Sequence, residues 1–113
     1  MIMELNGIDA NIGIVEVEKF NLLEDVLWIA VDGKLPRFYT AEKSFYQVVT
    51  MEELRIWLHP FGFRLLDRVN LVNTNKITML DDGNRTVWFN GKHVTVSRRN
   101  LKNIQEALKK RKQ

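Results

Sequence analysis

The sequence has no cysteine among its 113 residues, which excludes a disulfide scaffold, a thiolate zinc site and cysteine catalysis together. It has only two histidines, and neither lies near another metal-ligand type at a zinc-like spacing. The six glycines are scattered singly, so no glycine-rich phosphate loop is present. The longest unbroken apolar run, Val26 to Val31, is far too short to cross a bilayer. Residues 1–18 contain no Lys or Arg, so the charged start of a signal peptide is missing. These absences lead us to expect a soluble cytoplasmic protein with no membrane partner, metal or cofactor. The length fits one compact domain with no room for a second core.

What is present is a strongly uneven charge distribution beneath a modest net charge of +3. Residues 1–33 hold seven acids (Glu4, Asp9, Glu16, Glu18, Glu24, Asp25, Asp32) against one base, Lys19. Residues 92–113 hold eight bases (Lys92, Arg98, Arg99, Lys102, Lys109, Lys110, Arg111, Lys112) against one acid, Glu106. Such a pole attracts polyanions, of which nucleic acid is the commonest in a cytoplasm. Lys and Arg also suit a helix C-terminus by complementing its dipole, and for the last four bases both readings stand.

Along the chain, residues 1–11 read as a loosely held lead-in, and residues 12–113 as a single domain. Ile12 to Phe20 reads as a strand with Glu16 and Glu18 on its wet face. Val26 to Val31 reads as a buried strand. Asp32-Gly33-Lys34 is a turn, followed by strands over Arg37 to Ala41 and Ser44 to Val49. Thr50-Met51-Glu52-Glu53 fits a capping box, predicting a short helix that stops by His59 because Pro60 cannot continue it. Strand-like fragments follow at Phe63 to Leu66, Asn70 to Val72, Ile77 to Leu80 and Arg85 to Phe89. Asn90-Gly91 is a two-residue hairpin signal, returning through His93 to Val96. Ser97 then caps a final helix with Leu101, Ile104 and Leu108 on one face. Trp28, Trp57, Trp88 and Phe63 are assigned to core packing.

No catalytic constellation emerges. His59 reads as a helix C-cap, His93 as a surface residue, and Asp81 and Asp82 as turn residues beside Gly83. Ser97 is explained by its place before a helix and has no accompanying base. We therefore expect no enzyme activity and no small-molecule substrate.

Two stretches go further: Phe63 to Ile77 (FRLLDRVNLVNTNKI) and Val94 to Ile104 (VTVSRRNLKNI). Together with Asp25 to Trp28 they resemble the LytTR family. Its members have a Gly-Phe segment leading to an arginine, then a Leu/Val-Val-Asn and a Lys-Ile, and later a Val-Ser-Arg-Arg. The resemblance spans roughly residues 12–108. It implies a mainly β, small, elongated domain of stacked antiparallel sheets, with one short internal helix and a basic C-terminal helix. It also implies a transcription factor that inserts loops into successive major grooves of double-stranded DNA, usually at paired repeats. Two copies per site are then expected, with self-association on DNA. Relatives commonly carry a receiver domain ahead of this module; the chain is expected to be either a stand-alone regulator or a fragment lacking its switch.

Carried over, the resemblance assigns base contacts to Arg68 and Arg99. Arginine suits guanine because its planar fork matches the two major-groove acceptors of that base. The competing assignment for Arg68 is an ion pair with Asp67, and for Arg99 a solvated first-turn residue. Arg98, Lys102, Ser97 and Asn100 are accessory or backbone contacts under the same reading. Pro36 falls where some relatives place a base-reading residue and has no donor, which leaves Lys34 and Arg37 as candidates beside it. Asn73 is expected to hold the turn before Lys76 rather than to touch DNA. The alternative function is a β-rich protein-interaction module docking an acidic protein partner through its basic end. A third, single-stranded RNA binding, would need exposed aromatics for stacking, and the aromatics here read as core.

Overall fold

The computed structural model describes residues 4–9, 17–47 and 49–111. Their strands are β1 (Glu4–Asp9), β2 (Val17–Asn21), β3 (Trp28–Asp32), β4 (Leu35–Tyr39) and β5 (Ser44–Tyr46), then β6 (Phe63–Leu65) and β7 (Leu71–Asn73). A second group follows, β8 (Met79–Asp81), β9 (Thr86–Phe89) and β10 (Lys92–Thr95). Helix α1 (Met51–Leu58) precedes β6, and α2 (Arg98–Arg111) ends the described chain. Single 3-10 turns lie at His59–Phe61 and Thr74–Lys76. Every strand pairing is antiparallel, in a large sheet ordered β2-β1-β5-β4-β3-β7-β6 and a small one ordered β10-β9-β8. With principal extents of 40 × 28 × 25 Å, the domain is elongated and mainly β, as the resemblance implied.

The alternation of side chains along a strand gives the large sheet two covered faces near its β3/β7 centre. Ile29 and Leu71 face one way and join Phe38, Phe45, Phe63 and the α1 residues Leu54 and Leu58 in one buried cluster. Val72, one residue on, faces the other way and packs with Val87 and Phe89 of the small sheet, Val96, and Ile104 of α2. Trp28 spans the gap between sheets, stacked on Tyr39 with centroids 4.7 Å apart and on Phe89 at 5.7 Å.

Local chemistry sets the element boundaries. The hydroxyl of Thr50 accepts from the Glu53 amide at 3.1 Å and caps α1. Pro60 falls in the 3-10 turn that closes this helix, and Gly62 at φ 95° turns the chain back into β6. Asn90 (φ 51°) and Gly91 (φ 95°) both take the left-handed conformation that a tight β9–β10 hairpin requires. Asn73 is buried. Its amide donates to the carbonyls of Leu23 (3.1 Å) and Val26 (3.0 Å), while its side-chain oxygen accepts from the Asn75 amide. It therefore caps the turn before Lys76, as expected, and also anchors the distant 23–26 loop.

Several expectations are corrected. The lead-in contains β1, which is hydrogen-bonded between β2 and β5. Of the strand expected over Ile12 to Phe20, the part from Val17 onward lies in β2, while residues 12–16 fall outside the described residues. Trp57 is 57% exposed, because Leu54 and Leu58 define the buried stripe of a two-turn helix and Trp57 falls off its edge. Trp88 is half-buried and packs on exposed His93, its cross-strand partner, at 4.5 Å. Phe63 is core.

Candidate nucleic-acid interface

Three segments converge at one end of the molecule. The antiparallel register of β3 and β7 (Trp28 with Val72, Ile29 with Leu71) brings the β3–β4 turn beside the segment that precedes β7. The Asn70 side-chain oxygen accepts from the Val31 amide at 3.0 Å and fixes that proximity. The third segment is the start of α2, which is joined to the 66–70 loop where the Ser97 amide donates to the Leu66 carbonyl.

The 66–70 loop is built around Asp67. Its carboxylate accepts from the amides of Val69 (3.0 Å) and Asn70 (2.9 Å) and from the Asn70 side chain (2.9 Å). Burial alone would raise the Asp67 pKa, but these three donors outweigh it and hold the carboxyl below its ordinary value. The Leu66 amide closes the loop on the Asn70 carbonyl at 2.7 Å. Asp67 is thereby occupied by its own turn and makes no ion pair with Arg68, whose side chain is exposed.

Arg68 and Arg99 line one crevice of about 440 Å³, together with Leu65, Asp67, Ser97 and Asn100. Arg98, Arg99 and Lys102 are exposed on the first turns of α2, and no carboxylate pairs with them among the described residues. Each cation at a helix N-terminus opposes the helix dipole by a few tenths of a kcal/mol, roughly 0.3–1. Two arginines there form a site that an external anion would relieve.

The chain matches the family model described as "LytTr DNA-binding domain" over residues 19–109. It belongs to that family. Among solved structures, it is similar to the LytTr DNA-binding domain of a protein described as a methyl-accepting/DNA response regulator from Bacillus cereus. The TM-score is 0.73 at 17% identity, covering 94% of this chain and 96% of that one. That likeness supports the fold. No curated protein matches. The LytTr assignment makes this a DNA-binding domain rather than a member of a catalytic family. Among the described residues no helix is long and apolar enough to cross a membrane. Nor do they contain a cluster of three or more His, Asp or Glu side chains able to hold a metal ion.

The other residues singled out in the sequence divide clearly within this LytTr fold. Lys34 is exposed at the tip of the β3–β4 turn, beside Gly33 at φ 67°. Arg37 is not a surface cation. Its guanidinium donates to Asp32 at 3.0 Å and to the Ser44 hydroxyl at 2.9 Å, and lies over the rings of Tyr39 and Tyr46. The Tyr46 hydroxyl also donates to Asp32, and with Arg37 it holds that carboxyl below its ordinary value. Pro36 is buried in β4. Asn100, expected beside the arginines as a phosphate contact, is buried and donates its amide to the Ser97 hydroxyl at 2.8 Å. The Ser97 hydroxyl therefore meets a side chain, and its carbonyl accepts the first helical amides, Asn100 and Leu101. The sequence reading missed Val31 (42% exposed) and Val69 (48% exposed), two apolar side chains flanking the same pole. Their signal was weak, because valines in strand-like runs ordinarily read as core.

Proposed function

We propose that this domain binds double-stranded DNA sequence-specifically and thereby regulates transcription, entering the major groove with the 66–70 loop and the N-terminal turn of α2. Arg68 and Arg99 make the base contacts, each directed at guanine. Lys34, Arg98 and Lys102 contact backbone phosphates, which set register without reading sequence. Ser97 and Asn100 position Arg99 from beneath, and Arg37 shapes the β3–β4 turn. Val69 and Val31 offer apolar surface suited to a thymine methyl group. Two copies occupy paired repeats, with self-association on DNA. The observation that carries this reading is the shared crevice of Arg68 and Arg99, in which, among the described residues, no carboxylate forms an ion pair with either and Asp67 is taken up by its own turn.

The test begins with selection of bound sequences from a random duplex pool. The recovered duplex is then titrated against the parent chain and against Arg68→Ala and Arg99→Ala by fluorescence anisotropy. Each variant should lose about 1–3 kcal/mol on the selected duplex and relax preference at one base pair. Log affinity should fall steeply and linearly with log salt. Variants that bind as well as the parent would remove the assigned roles, and a shallow salt dependence would remove the phosphate contacts.

A further inference from the structure

A second basic cleft lies at the opposite pole. Strands β6 and β7 run between two ends of the large sheet, one at Leu66/Asn70 and the other at Gly62/Thr74. Helix α2 follows the same path, from Ser97 bonded to Leu66 to Arg111 bonded to the carbonyls of Thr74 and Ile77. Its 14 residues therefore separate the two poles by about 20 Å at 1.5 Å per residue. At the far pole, a cleft of about 600 Å³ is lined by Arg64, Lys76, Lys110, Arg111, Glu24 and the backbone turn at Pro60–Gly62.

The two guanidinium groups are fixed in place without being neutralised. One terminal nitrogen of Arg64 donates to the carbonyls of His59 and Phe63, both at 2.8 Å. One terminal nitrogen of Arg111 donates to the carbonyls of Thr74 and Ile77. The remaining donors of both forks have no hydrogen-bond partner among the described residues. The one acid lining the cleft among the described residues, Glu24, is 72% exposed and reaches Lys76 only at 4.0 Å. Among the described residues lining this cleft, four cations thus face one carboxylate, while Glu106 lines the adjoining cleft with Arg64 and Lys110, and the half-charge at the α2 C-terminus offsets little of that excess. A lone carboxylate ligand carries one charge and two oxygens, which would leave most donors unmet. A terminal phosphoryl group, or several adjacent phosphates, carries more charge and more acceptor oxygens, matching two anchored forks and two ammonium groups.

We propose that this cleft is a second anion site, taking a multiply charged phosphate group at the end of the domain remote from the reading loops. The charge is supplied either by one phosphoryl group of a small compound or by two or more adjacent diesters of a further stretch of duplex backbone, each with one charge and two free oxygens.

Inorganic pyrophosphate titrated into the full chain tests the site without DNA, with arginine side-chain and backbone amide NMR signals as the readout. Saturable shifts should appear at Arg64, Arg111 and Asn75 and survive in Arg68→Ala/Arg99→Ala. The double lysine variant Lys76→Gln/Lys110→Gln should bind pyrophosphate roughly tenfold or more weakly while retaining the parent's fold, as read from amide signals away from the cleft. Non-saturating shifts scattered over surface lysines, shifts centred on Arg68 and Arg99, or undiminished binding by the double variant would each overturn the proposal. So would tighter binding of a polyglutamate peptide than of pyrophosphate. Long and short duplexes bearing the selected sequence separate the two sources. Weaker binding of only the long duplex by the double variant assigns the site to backbone phosphate, and unchanged DNA binding assigns it to a small phosphoryl compound.

Discussion

The Ser97 amide donates to the Leu66 carbonyl at 2.7 Å, and that bond joins the segment carrying Arg99 to the loop carrying Arg68. The two arginines are 31 positions apart in sequence, yet their backbones are tied to neighbouring atoms of one framework. Asp67 organises one side of that framework and Asn100, through the Ser97 hydroxyl, the other. Under the proposed function, a duplex would meet two arginines whose backbone spacing is set before binding, which lowers the ordering cost of the complex.

Asp67→Ala should therefore weaken DNA binding without removing a contacting cation. The substitution leaves the Val69 and Asn70 amides without their acceptor, and the loop loses about 1–2 kcal/mol of local stability. Because folding depresses the Asp67 pKa, its stabilisation is complete above the unfolded value of about 3.9 and disappears as pH falls through the folded value. Urea unfolding from pH 7 to pH 2 should show the parent losing its advantage over the variant below about pH 4. A constant difference across that range would contradict the role of the carboxylate.

Lys34 and Arg37 are near neighbours in sequence with opposite expected behaviour. Lys34→Ala removes an unpaired exposed cation, so it should weaken binding to every duplex alike and reduce the salt slope by about one. Arg37→Ala removes a guanidinium already engaged with Asp32 and Ser44, so it should destabilise the β3–β4 turn and leave the slope nearly unchanged. Affinity measured across a salt series distinguishes them, and equal slopes would refute the distinction.

Local signals in the sequence translated into structure where they were chemically self-contained. Asn90-Gly91, Thr50 at the α1 start and Pro60 at its end each act within a few residues, so their effects could be read directly. Signals that depend on partners distant in sequence could not. Adjacent Asp67 and Arg68 suggested an ion pair, whereas the carboxylate is consumed by its own turn. Arg37 looked free until β5 placed Tyr46 and Ser44 beside it. Trp57 looked like core because a two-turn helix has too few residues for its buried stripe to be located from sequence. The two arginines were named from the family resemblance, but their shared crevice required the fold.

Trp57 and Trp28 should differ sharply on truncation. Trp57 is exposed beside exposed Ile56, so Trp57→Gln should change stability by no more than about 0.5 kcal/mol. Trp28 is half-buried, stacked between Tyr39 and Phe89 of different sheets, and Trp28→Ala should cost about 3–5 kcal/mol. Chemical denaturation of the two variants checks the contrast, and a large loss for Trp57→Gln would place that residue in a packed contact.

Asn73 belongs to the motif that pointed to the family, yet it is buried and committed to the protein interior. Asn73→Ala would leave the carbonyls of Leu23 and Val26 short of a donor and the Asn75 amide short of an acceptor. Each unsatisfied buried group costs about 1–3 kcal/mol, so the domain should lose a large part of its stability. The variant should also release the 23–26 loop, raising hydrogen exchange there by a greater factor than in the β9–β10 hairpin. Exchange that rises evenly throughout would show that the loop is held by something other than this side chain.

Gly62 tests the backbone that shapes the second cleft. It sits at φ 95°, and a Cβ there would meet the Asn75 side-chain nitrogen at 2.8 Å. That nitrogen is itself held on the Phe61 carbonyl at 2.9 Å, so it cannot withdraw without losing a bond. Gly62→Ala combines left-handed backbone strain with this clash and should destabilise the domain by about 1–3 kcal/mol. Gly91→Ala provides the control. It has the same φ of 95° but nothing within 4 Å of the added carbon, so it should cost less. Equal losses for the two would mean that conformational strain alone sets the cost, and that the packing of Asn75 against the turn contributes nothing.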